Sequence, residues 1–190
     1  MKKLAIALLF CGASAFANII PAFTSVTYLT SGAFTGTDVN STGTALKNGT
    51  ATISFVQQSI QTVSAPSNIN LGSMVVSGGS GTFTNDYFTL TIVQTAPSVG
   101  TSSVSTTLTG EITGNSDDVT LSFNPGTVKI GDITYTLQNS TYFLVAPNTN
   151  NGVTSLQAQV TAAPEPASVG LFGSSLIGLG LAFRRRFAKK

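Results

Sequence analysis

The sequence predicts an all-β protein built as a single antiparallel β-sandwich. Three observations support this prediction: apolar residues recur at every second position, Thr and Ser fill most positions between them, and short clusters rich in Gly, Asn and Pro separate the runs. A period of two indicates sheets with one buried face, and closely spaced strands without helical periodicity favour a sandwich. A jelly-roll-like and an immunoglobulin-like arrangement fit the pattern equally well.

Eight segments carry the alternating pattern. They are residues 23–30, 51–57, 86–94, 104–113, 119–123, 133–138, 142–146 and 153–160. Turn-forming clusters lie at residues 31–32, 47–49, 77–81, 114–117, 124–126 and 147–152. Glycine and asparagine tolerate left-handed backbone and proline fixes a turn, so we expect chain reversals there. Residues 31–50 are rich in Thr, Gly and Asn and are expected to form a long loop or a weak strand.

The N-terminus has the three regions of a secretory signal peptide. Lys2 and Lys3 give a positive start, residues 4–10 are apolar, and Ala15 and Ala17 form an A-x-A pattern. This order predicts that residues 1–17 form a signal helix, removed by signal peptidase through its preference for small residues at these two positions.

The C-terminus combines a short motif, an apolar segment and a basic cluster. The motif is Pro164-Glu165-Pro166, residues 167–183 carry no charge, and Arg184, Arg185 and Arg186 follow in a tail that extends to residue 190. A helix over 167–183 would be about 25 Å long, close to the hydrocarbon thickness of a membrane. The basic tail 184–190 predicts that the C-terminus stays in the cytoplasm and the body lies outside. An ordinary C-terminal membrane anchor would explain the same features.

The order of these three parts resembles the PEP-CTERM sorting domain of Gram-negative bacteria that make extracellular polysaccharide. The resemblance covers residues 163 to about 188. It implies that Pro164, Glu165 and Pro166 are recognised by an exosortase, a membrane-embedded cysteine protease-transpeptidase, and that Arg184 to Arg186 stop transfer through the membrane. The protein would be anchored in the inner membrane before processing and would afterwards lie at the cell surface or outside the cell. The family implies little about the body, since unrelated domains carry this tail.

The body, residues 18–163, has the length of a single domain. It holds two lysines against six carboxylates, a net charge of −4, so nucleic-acid binding is excluded. It contains no Cys, His or Trp, which excludes a disulfide, a His or Cys metal site and a Ser–His–Asp triad. We therefore assign no catalytic, cofactor-binding or metal-binding residues from the sequence.

Three weaker patterns in the body remain open. Asp117-Asp118 follows a polar turn and would suit Ca²⁺, although an Asp-rich turn before a strand explains it too. Two of the six carboxylates could form a glycosidase pair, but no spacing singles out a pair. The tyrosines could form a sugar-contacting face or pack in the core; they are Tyr28, Tyr87, Tyr135 and Tyr142.

The sequence thus favours an exported structural or adhesive protein of the cell surface, the extracellular matrix or a biofilm. A carbohydrate- or calcium-binding module at the cell surface is the alternative, and an extracellular hydrolase is a third. The expected partners are signal peptidase, exosortase, the membrane through residues 167–183, and exopolysaccharide. No cofactor and no nucleic acid are expected.

Overall fold

A computed structural model describes residues 24–40, 42–113, 116–117 and 119–163. The signal helix predicted at 1–17 and the transmembrane helix predicted at 167–183 lie outside these residues. Within them the only helical element is a single 3-10 turn, Asn150–Gly152. The all-β prediction for the body is confirmed.

The described residues form thirteen strands. In chain order they are β1 (Thr24–Thr35), β2 (Ala45–Asn48), β3 (Ala51–Gln57), β4 (Gln61–Ala65), β5 (Ser67–Ser77), β6 (Gly81–Ala96), β7 (Gly100–Thr113), β8 (Ser116–Asp117), β9 (Thr120–Phe123), β10 (Thr127–Ile130), β11 (Ile133–Leu137), β12 (Thr141–Phe143) and β13 (Val153–Ala162).

These strands make two antiparallel sheets. The first sheet has seven strands in the order β12-β9-β7-β6-β1-β4, with β8 paired to β7. The second has six strands in the order β10-β11-β13-β5-β3-β2. The longest hairpin joins β6 to β7, where Leu90 lies opposite Val104. Strands that are distant in sequence also pair, because β13 lies beside β5.

The two sheets pack face to face around one apolar core. Phe88 and Leu90 of the first sheet belong to the same buried cluster as Ile53 and Leu156 of the second. The ring of Phe55, also from the second sheet, lies 5.1 Å from that of Phe88 between centroids. The fold is therefore sandwich-like, and the alternation seen in the sequence marks its inner and outer faces.

The turn predicted at residues 31–32 is wrong, because β1 continues through it to Thr35. Gly32 is required there by packing. A Cβ on Gly32 would overlap the Phe55 ring and would lie 2.6 Å from Cε2 of Phe88. Glycine occurs both in turns and where another group packs closely against the backbone, so the sequence alone does not distinguish the two roles. Of the two expectations for residues 31–50, the weak strand is the one observed, since the short strand β2 forms within them and pairs with β3.

Four strands were not predicted at all: β4, β5, β8 and β10. In β5 the alternation changes phase at a bulge, where the register moves from Gly72 opposite Leu156 to Asn70 opposite Gln157. A bulge adds one residue to one strand and so breaks a period-two pattern. β4 is an edge strand whose side chains are mostly exposed. Neither strand therefore has the regular apolar repeat on which the sequence prediction depended.

The strand predicted at residues 142–146 ends at Phe143. Leu144 and Ala146 are still buried, as the alternation indicated. The backbone beyond Phe143 is no longer part of a strand, however. The Leu144 amide donates to the Val119 carbonyl oxygen at 2.9 Å, and the Val145 amide donates to Oγ1 of Thr154 at 3.0 Å. The pattern predicted burial correctly but overestimated the length of the strand.

Candidate functional site

Three of the four tyrosines lie in the core, so they do not form a sugar-contacting face. Tyr28, Tyr135 and Tyr142 are at most 5% exposed, whereas Tyr87 is 46% exposed. Each buried phenol crosses to the facing sheet: Tyr28 donates to the Asn70 carbonyl oxygen at 2.9 Å, Tyr135 to Oε1 of Gln94 at 2.7 Å, and Tyr142 to the Gln157 carbonyl oxygen at 2.9 Å. These tyrosines are structural ties between the sheets.

Burial also keeps two of these phenols in the neutral form. It raises the pKa of Tyr28 above its usual value. The pKa of Tyr135 is raised further, first by burial and then by the neighbouring Tyr28. The two rings meet edge to face, 6.3 Å apart between centroids. A neutral phenol donates a hydrogen bond and is a poor nucleophile, so the pair stabilises the core.

The described carboxylates are scattered, with one exception. Glu111 is exposed near the end of β7, and Asp132 is exposed in the turn between β10 and β11. Asp38 and Asp86 come together where β1 leaves the first sheet. Among the described residues there is no group of three or more His, Cys, Asp or Glu side chains that could hold a metal ion. The side chains of Asp117 and Asp118 lie outside the described residues, so a calcium site there stays a prediction.

Asp86 is completely buried, and one of its two oxygens has no partner. Its Oδ1 accepts a hydrogen bond from the Asp38 amide at 3.2 Å, and its Oδ2 has none. Asp38 is half-buried, and its Oδ1 accepts from Nδ2 of Asn48 at 3.0 Å. Burial raises the pKa of Asp86 most, and the adjacent Asp38 carboxylate raises it further, against opposing hydrogen bonds from the Asp38 and Thr37 amides.

A β-bulge in β6 turns Asp86 into the core. The register moves from Phe83 opposite Gly110 to Asp86 opposite Leu108, and Asn85 takes a left-handed conformation with φ of 61°. Asparagine tolerates this conformation better than most residues. The Asp38–Asp86 pair was not among the predicted sites, although a signal for one member existed: Asp86 is in phase with the apolar residue Phe88 in the alternating segment 86–94. The proximity of Asp38, 48 residues earlier, had no signal in the sequence.

The outer face of the seven-stranded sheet is covered by hydroxyl groups. Neighbouring strands pair them across the ladder: Thr89 with Ser105 at 2.9 Å, Thr91 with Ser103 at 2.9 Å, Thr27 with Thr62 at 2.9 Å, and Ser122 with Thr141 at 3.3 Å. Cross-strand hydroxyl pairs stabilise a solvated sheet surface without fixed charge. We call this surface the hydroxyl face.

Two exposed aromatic side chains also lie on the hydroxyl face. The register places Tyr87 in one row with Thr107, Ser122 and Thr141. Phe143 is two residues beyond Thr141 and so points to the same side. The two aromatic residues are 46% and 66% exposed. With strands about 4.8 Å apart and about 3.4 Å per residue, they are separated by about 16 Å.

A small cavity between the sheets is lined mainly by apolar side chains, including Leu71, Ile92, Val104 and Leu137. A site for a polar substrate needs several convergent hydrogen-bonding groups, which this lining does not provide. The outer surfaces and the Asp38–Asp86 pair are therefore the better candidates.

The residues of the predicted sorting signals lie outside the described residues. These are Ala15, Ala17, Pro164, Glu165, Pro166, Arg184, Arg185 and Arg186. In the part of the chain that the structure describes, no helix has the length and apolar character needed to cross a membrane. The predicted span at 167–183 is outside that part.

Comparison with known proteins identifies the C-terminal segment. The PEP-CTERM protein-sorting motif matches residues 162–186. No curated protein and no solved structure matches the chain. The resemblance noted in the sequence is confirmed: the chain carries a PEP-CTERM sorting signal. It is accordingly an exported protein that is anchored in the membrane before an exosortase processes it.

Proposed function

We propose that this protein is a structural or adhesive component of the cell surface or of the extracellular matrix, including that of a biofilm. The main observation is the position of the sorting motif. It begins at Ala162, the residue at which the last strand, β13, ends. A folded sheet domain is thus joined almost directly to its sorting signal. Such a protein is cargo that the exosortase delivers.

The chemistry of the body supports a structural role over an enzymatic one. The body has no His and no Cys in its sequence, so it lacks the commonest general base and the thiol nucleophile. Three of its tyrosines are used as ties between the sheets. Its hydroxyl face is uncharged around Thr89 and Thr91, which suits contact with neutral, hydrated polymers. We therefore propose a non-enzymatic role.

The sorting step is tested by expressing the protein in cells with and without an exosortase. With the enzyme, the expected product has lost residues 184–190, so it is smaller by mass spectrometry and is recovered outside the inner membrane. Without the enzyme, the expected product retains Arg184 to Arg186 and stays in the membrane fraction. A product that keeps the basic tail when the exosortase is present would contradict the proposal.

Binding of polysaccharide is a second candidate function, favoured by the two aromatic residues on the hydroxyl face. Aromatic rings can stack on sugar rings, and a spacing of about 16 Å would let one chain contact both Tyr87 and Phe143. We expect the Tyr87→Ala/Phe143→Ala double variant to lose most of the affinity of the wild type for exopolysaccharide in a pull-down assay. Val99→Ala is the matched control, since Val99 is an exposed apolar residue in the turn between β6 and β7. Equal binding by the double variant would exclude this face.

A further inference from the structure

The Asp38–Asp86 pair lies where β1 leaves the first sheet, and its chemistry suits a cation. We propose that these two carboxylates bind a calcium ion. This inference goes beyond the proposed function and does not depend on it, because it concerns a site within the folded body.

The unpartnered oxygen of Asp86 is the first argument. Asp86 is 0% exposed, and Oδ1 uses the Asp38 amide, whereas Oδ2 has no hydrogen-bond partner. Burying a carboxylate oxygen without a partner is strongly unfavourable, and buried polar atoms in proteins are nearly always satisfied. A bound cation would satisfy Oδ2 and neutralise its charge at the same time.

The second argument is that the Asp86 carboxylate lies beside a group of the same charge, the Asp38 carboxylate. Two neighbouring carboxylates repel each other unless a proton or a cation lies between them. Oδ1 of Asp38 accepts a hydrogen bond from the uncharged amide of Asn48 at 3.0 Å. Lys47 is close in sequence but exposed on β2, and among the described residues it forms no ion pair with Asp38 or Asp86. Within the described ranges, the fold therefore brings the two acids together without placing a basic side chain against them.

Further oxygen atoms lie around the pair. A Cβ placed on Gly36 would overlap Oδ1 of Asp86 and would lie 2.8 Å from the Asn85 carbonyl oxygen, so both oxygens border this glycine. The Thr37 hydroxyl, which donates to the Thr84 carbonyl oxygen at 3.3 Å, is the next side chain. Calcium accepts six to eight oxygen ligands in irregular geometry, whereas magnesium requires a near-octahedral set. The oxygen atoms near the bulge in β6 are of the kinds that calcium binds: two carboxylates, the Asn85 carbonyl and the Thr37 hydroxyl.

The Asp38 side of the pair is partly exposed to solvent. Gly36 and Thr37 are exposed, and Asp38 is half-buried, so one side of the pair faces water. Water molecules on this side would complete the coordination. Extracellular calcium modules typically bind with a Kd of about 0.1 to 1 mM. An exported protein meets such concentrations outside the cytosol.

The test is thermal unfolding of the protein as it is recovered from cells, purified and freed of metal with EDTA at pH 7. Melting is then repeated in about 10 mM CaCl₂, in MgCl₂ at the same concentration, and in NaCl of equal ionic strength. With a Kd of about 0.1 mM, calcium is expected to raise Tm by about 5 °C or more. Magnesium is expected to give a smaller rise, and NaCl none.

Three variants locate the effect. Asp38→Asn and Asp86→Asn should each abolish the calcium-dependent rise, whereas Asp132→Asn, which removes an exposed carboxylate in a distant turn, should retain it. The Asp38→Asn substitution alters a half-buried residue and so keeps the test valid if Asp86→Asn prevents folding. Any of three results would overturn the proposal: calcium leaves the Tm of the wild type unchanged, NaCl or MgCl₂ raises it equally, or the calcium-dependent rise persists in Asp38→Asn or Asp86→Asn. A Tm that rises on acidification but not with calcium would show a shared proton in place of the ion, and would also overturn it.

Discussion

At the scale of single residues, the two sheets are held together by buried phenols. Tyr135 from the second sheet donates to Oε1 of Gln94 in the first, and the Gln94 amide group in turn donates to the carbonyl oxygen and the hydroxyl of Ser98 at 2.8 and 3.0 Å. Gln94 is 0% exposed, so each of these bonds replaces contact with water. This chain of bonds fixes one end of the β6–β7 hairpin against β11.

Replacing Tyr135 with Phe should therefore destabilise the protein. The substitution removes the hydroxyl and leaves Oε1 of buried Gln94 without a donor, which costs about 1–3 kcal/mol in the free energy of unfolding. Tyr87→Phe makes the same change at an exposed position and should alter stability by less than about 0.5 kcal/mol. Urea unfolding followed by circular dichroism measures both. Equal stability of the two variants would mean that the Gln94 bond contributes nothing.

The same phenols predict a loss of stability at alkaline pH. An unfolded tyrosine ionises near its ordinary pKa of 10.0, whereas burial raises the pKa of Tyr28 and Tyr135 in the folded protein. Above pH 10 the unfolded state therefore loses protons that the folded state keeps, and unfolding becomes more favourable as pH rises. The slope approaches about 1.4 kcal/mol per pH unit for each such group.

We expect the wild type to lose stability between pH 9 and pH 11 faster than Tyr135→Phe, when both are measured by urea unfolding at intervals of about half a pH unit. Stability below pH 9 should be independent of these two groups. Parallel curves for the two proteins over the alkaline range would show that Tyr135 titrates alike in both states.

At the scale of the strand, alternation was a good guide to which side chains are buried. It placed Tyr135 in phase with Ile133 and Tyr87 out of phase with Phe88, and the structure buries the first tyrosine and exposes the second. It could not predict that Tyr135 bonds Gln94, because the pairing partner is 41 residues away. It also failed wherever the backbone departs from period two, as at the bulge in β5.

Glycines caused a second kind of error, because the sequence does not distinguish a packing glycine from a turn glycine. Gly32 lies in the middle of β1 beneath the rings of Phe55 and Phe88, and Phe34 packs 5.0 Å from Phe88. Gly126 lies in a predicted turn that the structure confirms, and the nearest atom to a Cβ built there is 3.8 Å away. Two similar sequence signals thus correspond to opposite steric situations.

Substituting Ala at each of these glycines should separate the two cases. Gly32→Ala forces a methyl group into the aromatic cluster, and overpacking of this kind costs about 1–3 kcal/mol. Gly126→Ala adds a methyl at ordinary contact distance and should change the free energy of unfolding by less than about 0.5 kcal/mol. Chemical denaturation at pH 7 measures the difference. If Gly32→Ala is as stable as the wild type, the aromatic rings move aside freely and the packing explanation for β1 is wrong.

At the scale of the whole molecule, the sequence predicted the sorting signal well and the topology poorly. The signal is a linear pattern, so its motif, apolar segment and basic cluster can be recognised in order, and residues 162–186 match it. Sheet order depends on pairings between distant segments, such as β1 with β4 and β5 with β13, which leave no local trace. The sequence did not predict the Asp38–Asp86 pair for the same reason, since the two acids are 48 residues apart in the chain.

Glu165 is the residue at which sorting and folding can be separated. The chain has two glutamates, Glu165 in the sorting motif and Glu111 exposed near the end of β7. The sequence predicts extended backbone at Glu165, because each neighbouring proline fixes its own φ and disfavours helix at the residue before it. An extended segment with a central carboxylate is a form that a protease can bind. We therefore expect Glu165→Ala to block processing and Glu111→Ala to leave it unchanged.

Both variants should have the melting temperature of the wild-type body, because Glu165 follows the last strand and Glu111 is on the surface. In cells that contain the exosortase, mass spectrometry should find the Glu165→Ala protein with residues 184–190 still attached, while the Glu111→Ala protein is shortened like the wild type. Normal processing of Glu165→Ala would show that the enzyme does not depend on this carboxylate. Loss of folding in that variant would show instead that the motif contributes to the stability of the sheet domain, so the two outcomes separate recognition by the exosortase from stability of the body.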